Sequence, residues 1–499
     1  MLSTIIFAII CTFLAIESAS AWISFIGDRG GSISPLSLKT EGEPSTSNNY
    51  NDDDNYYHFL SRREALTRGL LVGGFAIAPT TLSIQSPAHS DDTATVSTKT
   101  SKTSLLSDYN PLDYKTIGDG RIVFPPSFLP PLQNRATYRY NIGRGSYALE
   151  QLLAFQNVTA TIRTNIIKLD DGGLWVCNPL WPTKEYCELL DELGHVKHVV
   201  LASNALEHKA AMKQFLSKYP NVEDVWISPG QYSVFGECGI VTDDMDKEQI
   251  DAIVKKASNT MGYRVDGILP VKVQQQETRQ VSKPSNMFPS WSDAFDFEVL
   301  CLELEGNAGP VSEVAFVHKK TRSLIVTDAV ICVPSVGDSY PLQPIYSTYF
   351  DEDTISDPTF WQRTVLQAVF LPLRSESLPN GDITYPGFDA LSNKLSRAPI
   401  LRAFNDGRAP DKSRDWVNSI TNLSFDRILT AHFASPINAG PTLFKKAFAH
   451  LYNDATADDL DYVPIPCQDW STLDSINSFI DQNKLGAPVI YDFKRGCKE

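Results

Sequence analysis

Glu207 and His208 sit side by side in the stretch Val196 to Gly230, VKHVVLASNALEHKAAMKQFLSKYPNVEDVWISPG, where an apolar run gives way to ionisable residues. His198 to Ala202 reads as a buried strand. A loop carrying Asn204, Glu207 and His208 follows, then an amphipathic helix that Pro220 helps to close, then a second strand around Val225. α/β folds present chemistry at the carboxyl ends of strands in this way. Two other strands end alike: Ser323 to Val326 (SLIV) runs into Thr327 and Asp328, and Arg427 to Thr430 (RILT) runs into Ala431 and His432. If the three ends converge, Glu207, His208, Asp328 and His432 form a pocket of two carboxylates and two imidazoles. Such a set suits one divalent metal ion, zinc, iron or manganese. His195, His198 and His318 are expected to be solvated or core histidines.

The elements that must position these groups are read in chain order. Asp108 to Ser146 is rich in Pro, Tyr and Arg with little periodicity and reads as an irregular wrap, so regular structure is expected from about Asn157. Val158 to Leu169 alternates and is β-branched, and Asp170-Asp171-Gly172-Gly173 turns it into Leu174 to Asn178, a hairpin signal. Thr183 is suited to cap a helix over Lys184 to Leu193, with Gly194 as its stop. Further helices are predicted over Lys247 to Ser258, Asp357 to Phe370, Pro399 to Phe404, Arg414 to Ile420 and Pro441 to Leu451, with strands over Phe295 to Leu304 and Glu313 to Val317. Gln274 to Asn286 reads as an exposed polar loop.

With 499 residues, 42% apolar and 21% charged, the chain can bury a large core. Its net charge of −15 argues against nucleic acid and against an anionic membrane surface as partners. Eight scattered cysteines without a C-x-x-C exclude a zinc ribbon and a disulfide framework. Cys467 and Cys497 are the pair to watch if the compartment oxidises.

The front end reads as addresses. Leu2 to Ile16 is an apolar run too short for a comfortable membrane span, and Ala19-Ser20-Ala21 is a small-x-small cleavage pattern, giving a signal peptide over 1–21. With Trp22 next, this resembles the bipartite presequences of algal plastids, which implies a transit-like segment over 22–60, although Asp52-Asp53-Asp54 is more acidic than usual there. Arg62-Arg63 ahead of the apolar run Gly69 to Ala78 looks like a twin-arginine export signal over 61–90, which implies delivery to the thylakoid lumen. A linker and wrap over 91–150, a main domain over 151–455 and a C-terminal extension over 456–499 complete the expected order. No stable transmembrane span is expected in the mature chain.

The blocks DGGLWVCNPLWPTKEYCELLDELGHVKHVVLASNALEHKAAMKQFLSKYPNVEDVWISPG, SEVAFVHKKTRSLIVTDAV, DPTFWQRTVLQAVF, APILRAF, RDWVNSI and FDRILTAHFASPINAGPTLFKKAFAHL closely resemble an uncharacterised domain-of-unknown-function family of cyanobacteria, plants and algae. The resemblance covers roughly Asn157 to Leu451 and implies a metallo-β-lactamase-like αββα sandwich, here with an N-terminal extension. Hydrolases of that fold bind two metals through His-x-His-x-Asp-His, a further His, a bridging Asp and a late His. Laid on that pattern, Ser203-Asn204-Ala205-Leu206-Glu207-His208 keeps the final acid and His and loses both leading histidines. Asp328 takes the place of the bridging Asp, His432 that of the late His, and the loop Gly306 to Pro310 supplies no imidazole. The resemblance therefore implies at most one metal, on Glu207, His208, Asp328 and His432. Two functions are compatible with it: a plastid metal-dependent hydrolase of a small molecule, or a catalytically inactive derivative that binds a small molecule or a thylakoid protein.

Overall fold

The structure is a computed structural model and describes residues 136–155, 158–233, 235–272, 288–304, 310–336 and 343–499. The expected addresses over 1–90, the polar loop over 274–286 and most of the loop at 306–310 lie outside the described residues.

Two sheets carry the domain. The larger has the spatial order β1 (Tyr138–Asn141), β2 (Ser146–Phe155), β3 (Val158–Lys168), β4 (Leu174–Cys177), β5 (Val196–Leu201), β6 (Asp224–Ile227), β7 (Gly267–Ile268). Its first four strands pair antiparallel, and β4 to β7 run parallel. The smaller has the order β8 (Phe295–Glu303), β9 (Pro310–His318), β10 (Ser323–Ile325), β11 (Arg427–Leu429), with only the last pair parallel. The turn between β3 and β4 needs Gly172 at φ +83°, and the Asp171 carboxylate accepts from the Gly173 N–H at 2.9 Å.

Parallel strands need crossovers, and helices supply them. α1 (Lys184–Asp191) starts where Thr183 accepts from the Tyr186 N–H at 3.1 Å. α2 (Leu206–Lys209) and α3 (Met212–Lys218) join β5 to β6. α4 (Lys247–Met261) opens on a capping box between Asp246 and Gln249 and ends at Gly262, φ +70°.

Alternation along the strands divides the buried side chains into three cores. Leu174 and Val176, with Val199 and Leu201, meet Tyr186, Leu189, Phe215 and Ile250 of the helices. Their neighbours in sequence, Trp175, Cys177 and Val200, face the other way and meet Phe295, Val314, Phe316, Ile325 and Leu429 of the second sheet. Trp175 stacks on Phe295 at 4.5 Å between centroids and meets Phe316 edge-on at 5.2 Å, an aromatic plug between the sheets. On the far side of the second sheet, Leu300, Ala315, Leu324 and Ile428 pack on α5 (Phe360–Ala368), α6 (Pro410–Thr421) and α7 (Pro441–Ala447) through Val365, Trp416, Ile420 and Phe444. The layers are helix, sheet, sheet, helix, so the chain is an α/β protein of αββα architecture, as the resemblance implied.

Two boundaries differ from the sequence reading. Among the described residues regular structure begins at Tyr138 rather than near Asn157: β2, SYALEQLLAF, is composed largely of helix formers, yet it pairs with β3 from Ser146↔Ile167 to Phe155↔Val158. Pairing sends Ala148 and Leu152 to the inter-sheet core and Leu149 to the helical one, so tertiary packing overrides propensity. The segment 456–499 is no appendage either. Ile465, Trp470, Phe493 and the apolar face of α8 (Ser471–Gln482) complete the outer core, and a Cys467–Cys497 disulfide closes the segment. Among the described residues no helix is long and apolar enough to cross a membrane.

Candidate metal centre

Three strand ends do converge. β5 leads through Ser203 to α2, and Asn204 ties this loop to the second sheet: its side-chain oxygen accepts from the Ser312 N–H at 3.1 Å and its amide donates to the Pro310 carbonyl at 2.6 Å. Asn178, at the end of β4, accepts from the Ala202 N–H at 2.8 Å and donates to Thr327 Oγ1 at 3.0 Å, which locks the ends of β5 and β10 together. β11 ends in a tight turn in which Thr430 Oγ1 lies 2.8 Å from the carbonyls of both His432 and Ala434. Buried Arg163 of β3, paired with Glu150 of β2, donates to the carbonyls of Thr430 at 3.2 Å and Phe433 at 2.6 Å. β3, which the sequence reading placed, thus holds the His432 turn, and β2, which it missed, supplies the carboxylate that pairs with Arg163.

His208 Nε2 lies 3.4 Å from Asp328 Oδ1, His432 Nε2 lies 3.1 Å from the same oxygen, and the two nitrogens are 3.3 Å apart. Glu207 stands looser, its carboxylate within 4.8 Å of ligand nitrogens of both histidines. The structure therefore gathers all four sequence-predicted residues, with His208, Asp328 and His432 as a tight triangle. His195 is exposed, while buried His198 and His318 are occupied by Asp224 and Thr321. These three stand apart from the centre, as expected.

Burial pushes the Asp328 carboxyl up, but the charges and hydrogen bonds of His208 and His432 outweigh it and hold it well below the usual carboxylate range. Burial would lower His432. The hydrogen bond and charge of Asp328, helped by the Thr161 carbonyl and Glu207, raise it instead.

Sequence reasoning missed Glu313. Its carboxylate is buried in β9 and accepts from three successive backbone N–H groups, Thr327 at 2.7 Å, Asp328 at 3.1 Å and Ala329 at 3.2 Å. Desolvation and then the Asp328 charge push its pKa up, against those hydrogen bonds. The signal was a lone acid in an otherwise apolar strand, VSEVAFV. Also missed was a cavity of about 230 Å³ that opens beside the triangle and is lined by Glu207, Asp328 and His432 among mostly apolar side chains.

The donor set fits a divalent ion. Zinc holds imidazole nitrogen and carboxylate oxygen at roughly 2.0–2.2 Å, which places neighbouring ligands of a tetrahedral ion about 3.3–3.6 Å apart. The triangle's sides of 3.4, 3.1 and 3.3 Å lie at or just under that spacing. His432 donates from Nδ1 to the Thr161 carbonyl at 2.7 Å, the outer hydrogen bond that metal-binding histidines characteristically make. His208 lacks one: its Nδ1 is buried without a hydrogen-bond partner, while its Nε2 faces Asp328 and His432.

No curated protein matches the chain in sequence. Several solved structures are similar in fold. A metal-soaked flavodiiron core from Synechocystis sp. PCC6803 is 9% identical at a TM-score of 0.32, covering 66% of this chain and 68% of that one. A metallo-β-lactamase from Hirschia baltica is 9% identical at 0.29, covering 63% and 97%, and one from Pontibacter korlensis is 11% identical at 0.28, covering 64% and 100%. At such scores these likenesses add nothing to the argument from the layers and the site. The family comparison is decisive by extent: residues 145–378 and 382–450, more than half of the chain, match the Domain of unknown function (DUF4336) model, and the protein belongs to that family.

Proposed function

We propose that the protein is a mononuclear metal-dependent hydrolase of a small molecule, with Glu207, His208, Asp328 and His432 holding one divalent ion, zinc, iron or manganese. The observation that carries this reading is the triangle of ligand atoms at coordination spacing on the wall of a cavity. A divalent ion bound there supplies Lewis acidity toward a carbonyl or phosphoryl oxygen and lowers the pKa of water. The chain's own residues do the remaining work. Thr161 aims His432, and Glu313 fixes the backbone that carries Asp328. Metal analysis of the purified chain tests the reading. About one equivalent in the wild type and close to none in Asp328→Ala and His432→Ala is expected; equal, negligible metal in all three ends it.

One observation favours a second reading, a catalytically inactive binding module. The same triangle can satisfy itself through hydrogen bonds without any ion, and Ser203 and Ala205 stand where the hydrolase pattern has its leading histidines. Absence of metal with retained small-molecule binding would select it, and capture of a thylakoid protein would name the other kind of partner.

Residence in the plastid, in the thylakoid lumen, is proposed from the sequence pattern of residues 1–90. The Cys467–Cys497 disulfide supports an oxidising compartment. A fluorescent fusion with Arg62-Arg63→Lys-Lys should fail to reach the lumen, and unaffected import would remove the proposal.

A further inference from the structure

The cavity beside the triangle has a wall of two kinds. Leu153, Val158, Leu300, Ile331, Leu401 and Phe404, from separate stretches of the chain, supply hydrocarbon. Most polar residues set among them are already used inside the protein. Asn204 is held by Ser312 and Pro310, Ser312 Oγ donates to Ser228 Oγ at 3.0 Å, and Ser203 Oγ accepts from the Ala205 N–H at 3.1 Å. The Glu313 carboxylate accepts from its three backbone N–H groups. Arg397 donates from Nε and Nη2 to Asp406 at 3.1 and 3.0 Å, and from Nη1 to the Ala329 carbonyl at 2.9 Å. Asn405, in the π-helical turn Arg402–Asp406, keeps its side-chain oxygen shut off from solvent. The polar character of the wall is therefore concentrated at Glu207, Asp328 and His432, the candidate metal centre.

A buried water is held by roughly two to four polar partners, and away from the triangle this wall has few to give. Hydrocarbon meets no such demand. An engineered apolar cavity of about 150 Å³ in another protein stays dry and binds benzene. The space here is about 230 Å³, room for a hydrocarbon group larger than one such ring.

We propose that this cavity takes the aliphatic chain of a small amphiphile, packed on Leu300, Ile331, Leu401 and Phe404, with its polar end at Glu207, Asp328 and His432. This names the substrate class of the preceding reading and rests on that reading for the word substrate. Binding of the chain itself needs no metal.

Calorimetric titration of the full chain, as purified and after EDTA treatment, with the straight-chain primary alcohols from butanol to octanol tests it. The head group is constant and uncharged, so only the hydrocarbon varies. One saturable site is expected, tightening about fourfold with each added methylene, and by the same factor with or without EDTA. Ala368→Phe on α5 and Ala160→Phe on β3 fill the space from two elements. Each should abolish octanol binding while the melting temperature stays close to wild type. Affinity that does not rise with chain length, or uptake that never saturates, overturns the ligand class. Wild-type octanol binding by either variant in folded form overturns the location. A chain that holds no metal but binds octanol in this way loses the hydrolase reading alone. A chain that holds metal and binds no octanol loses only this one.

Discussion

The Nδ1–H of His432 donates to the carbonyl of Thr161, 2.7 Å away on a strand of the other sheet. That bond turns the opposite nitrogen toward Asp328 and makes β3 part of the site. His432→Gln should bind zinc at least tenfold more weakly than wild type while remaining folded, because the amide replaces a nitrogen ligand with a weaker one. Glu207→Gln should cost less than Asp328→Asn, since Glu207 stands outside the tight triangle. Competition against a zinc-binding dye gives the order, and a larger loss at Glu207 would contradict the geometry.

Glu313 is a positioning residue with a heavy structural load. Glu313→Ala leaves three buried N–H groups, those of Thr327, Asp328 and Ala329, without their acceptor. At about 1–3 kcal/mol for each unsatisfied group, the variant should lose on the order of 3–5 kcal/mol in urea unfolding. Glu313→Gln keeps one acceptor oxygen and should lose about half of that, with zinc affinity reduced by roughly tenfold as the Asp328 loop loosens. Unchanged zinc affinity in a folded Glu313→Gln would show that this carboxylate serves stability alone.

The strand ends carrying the four predicted residues were legible because each is a short apolar run followed by polar residues, a local signal. Thr183 and Gly194 announced α1 for the same reason. Glu313 was not legible, because its partners are backbone groups 14 to 16 residues later that no side-chain motif records. Nor was the cavity: Val158, Leu300, Ile331 and Phe404 come from segments far apart in the chain and share only a wall. β2 was hidden by its own composition, since Ala, Leu, Glu and Gln favour helix until β3 claims the segment as a strand.

His450 sets a pH window for stability. It is buried against Asp406 at 3.0 Å, and burial first, then the charge of Arg402, holds its pKa down to about 4 from 6.5. Between these values the unfolded chain binds a proton that the folded protein refuses, so stability falls as pH drops from 6.5 toward 4. The slope from one group is at most about 1.4 kcal/mol per pH unit. His318, also lowered to about 4 chiefly by burial, adds to the same window. Asp406 acts lower, its pKa brought to about 2 as Arg397 and His450 outweigh its burial, so its contribution is present above about 3.8 and lost as pH falls through 2. Urea titrations at several pH values should therefore show a shallower decline in His450→Gln by about one proton, with the His318 part remaining. An identical slope would mean that His450 does not titrate on unfolding.

The disulfide couples the chain's end to the cavity wall. Cys467 and Cys497 are 30 residues apart, and closing a loop of that length is worth roughly 3–4 kcal/mol on the chain-entropy account. The segment it holds supplies the carbonyls of Phe493 and Arg495, to which Arg402 donates at 2.6 Å each. Arg402 opens the π-helical turn that contains Phe404 and Asn405 of the cavity wall. Cys467→Ser/Cys497→Ser should therefore lower stability by about 3 kcal/mol and speed amide hydrogen exchange in residues 402–406 as well as at the C-terminus. Exchange on β10 and β11, whose hydrogen bonds lie in the sheet, should change much less. Faster exchange confined to the C-terminal residues would show that the clamp ends at Arg402 and does not reach the cavity.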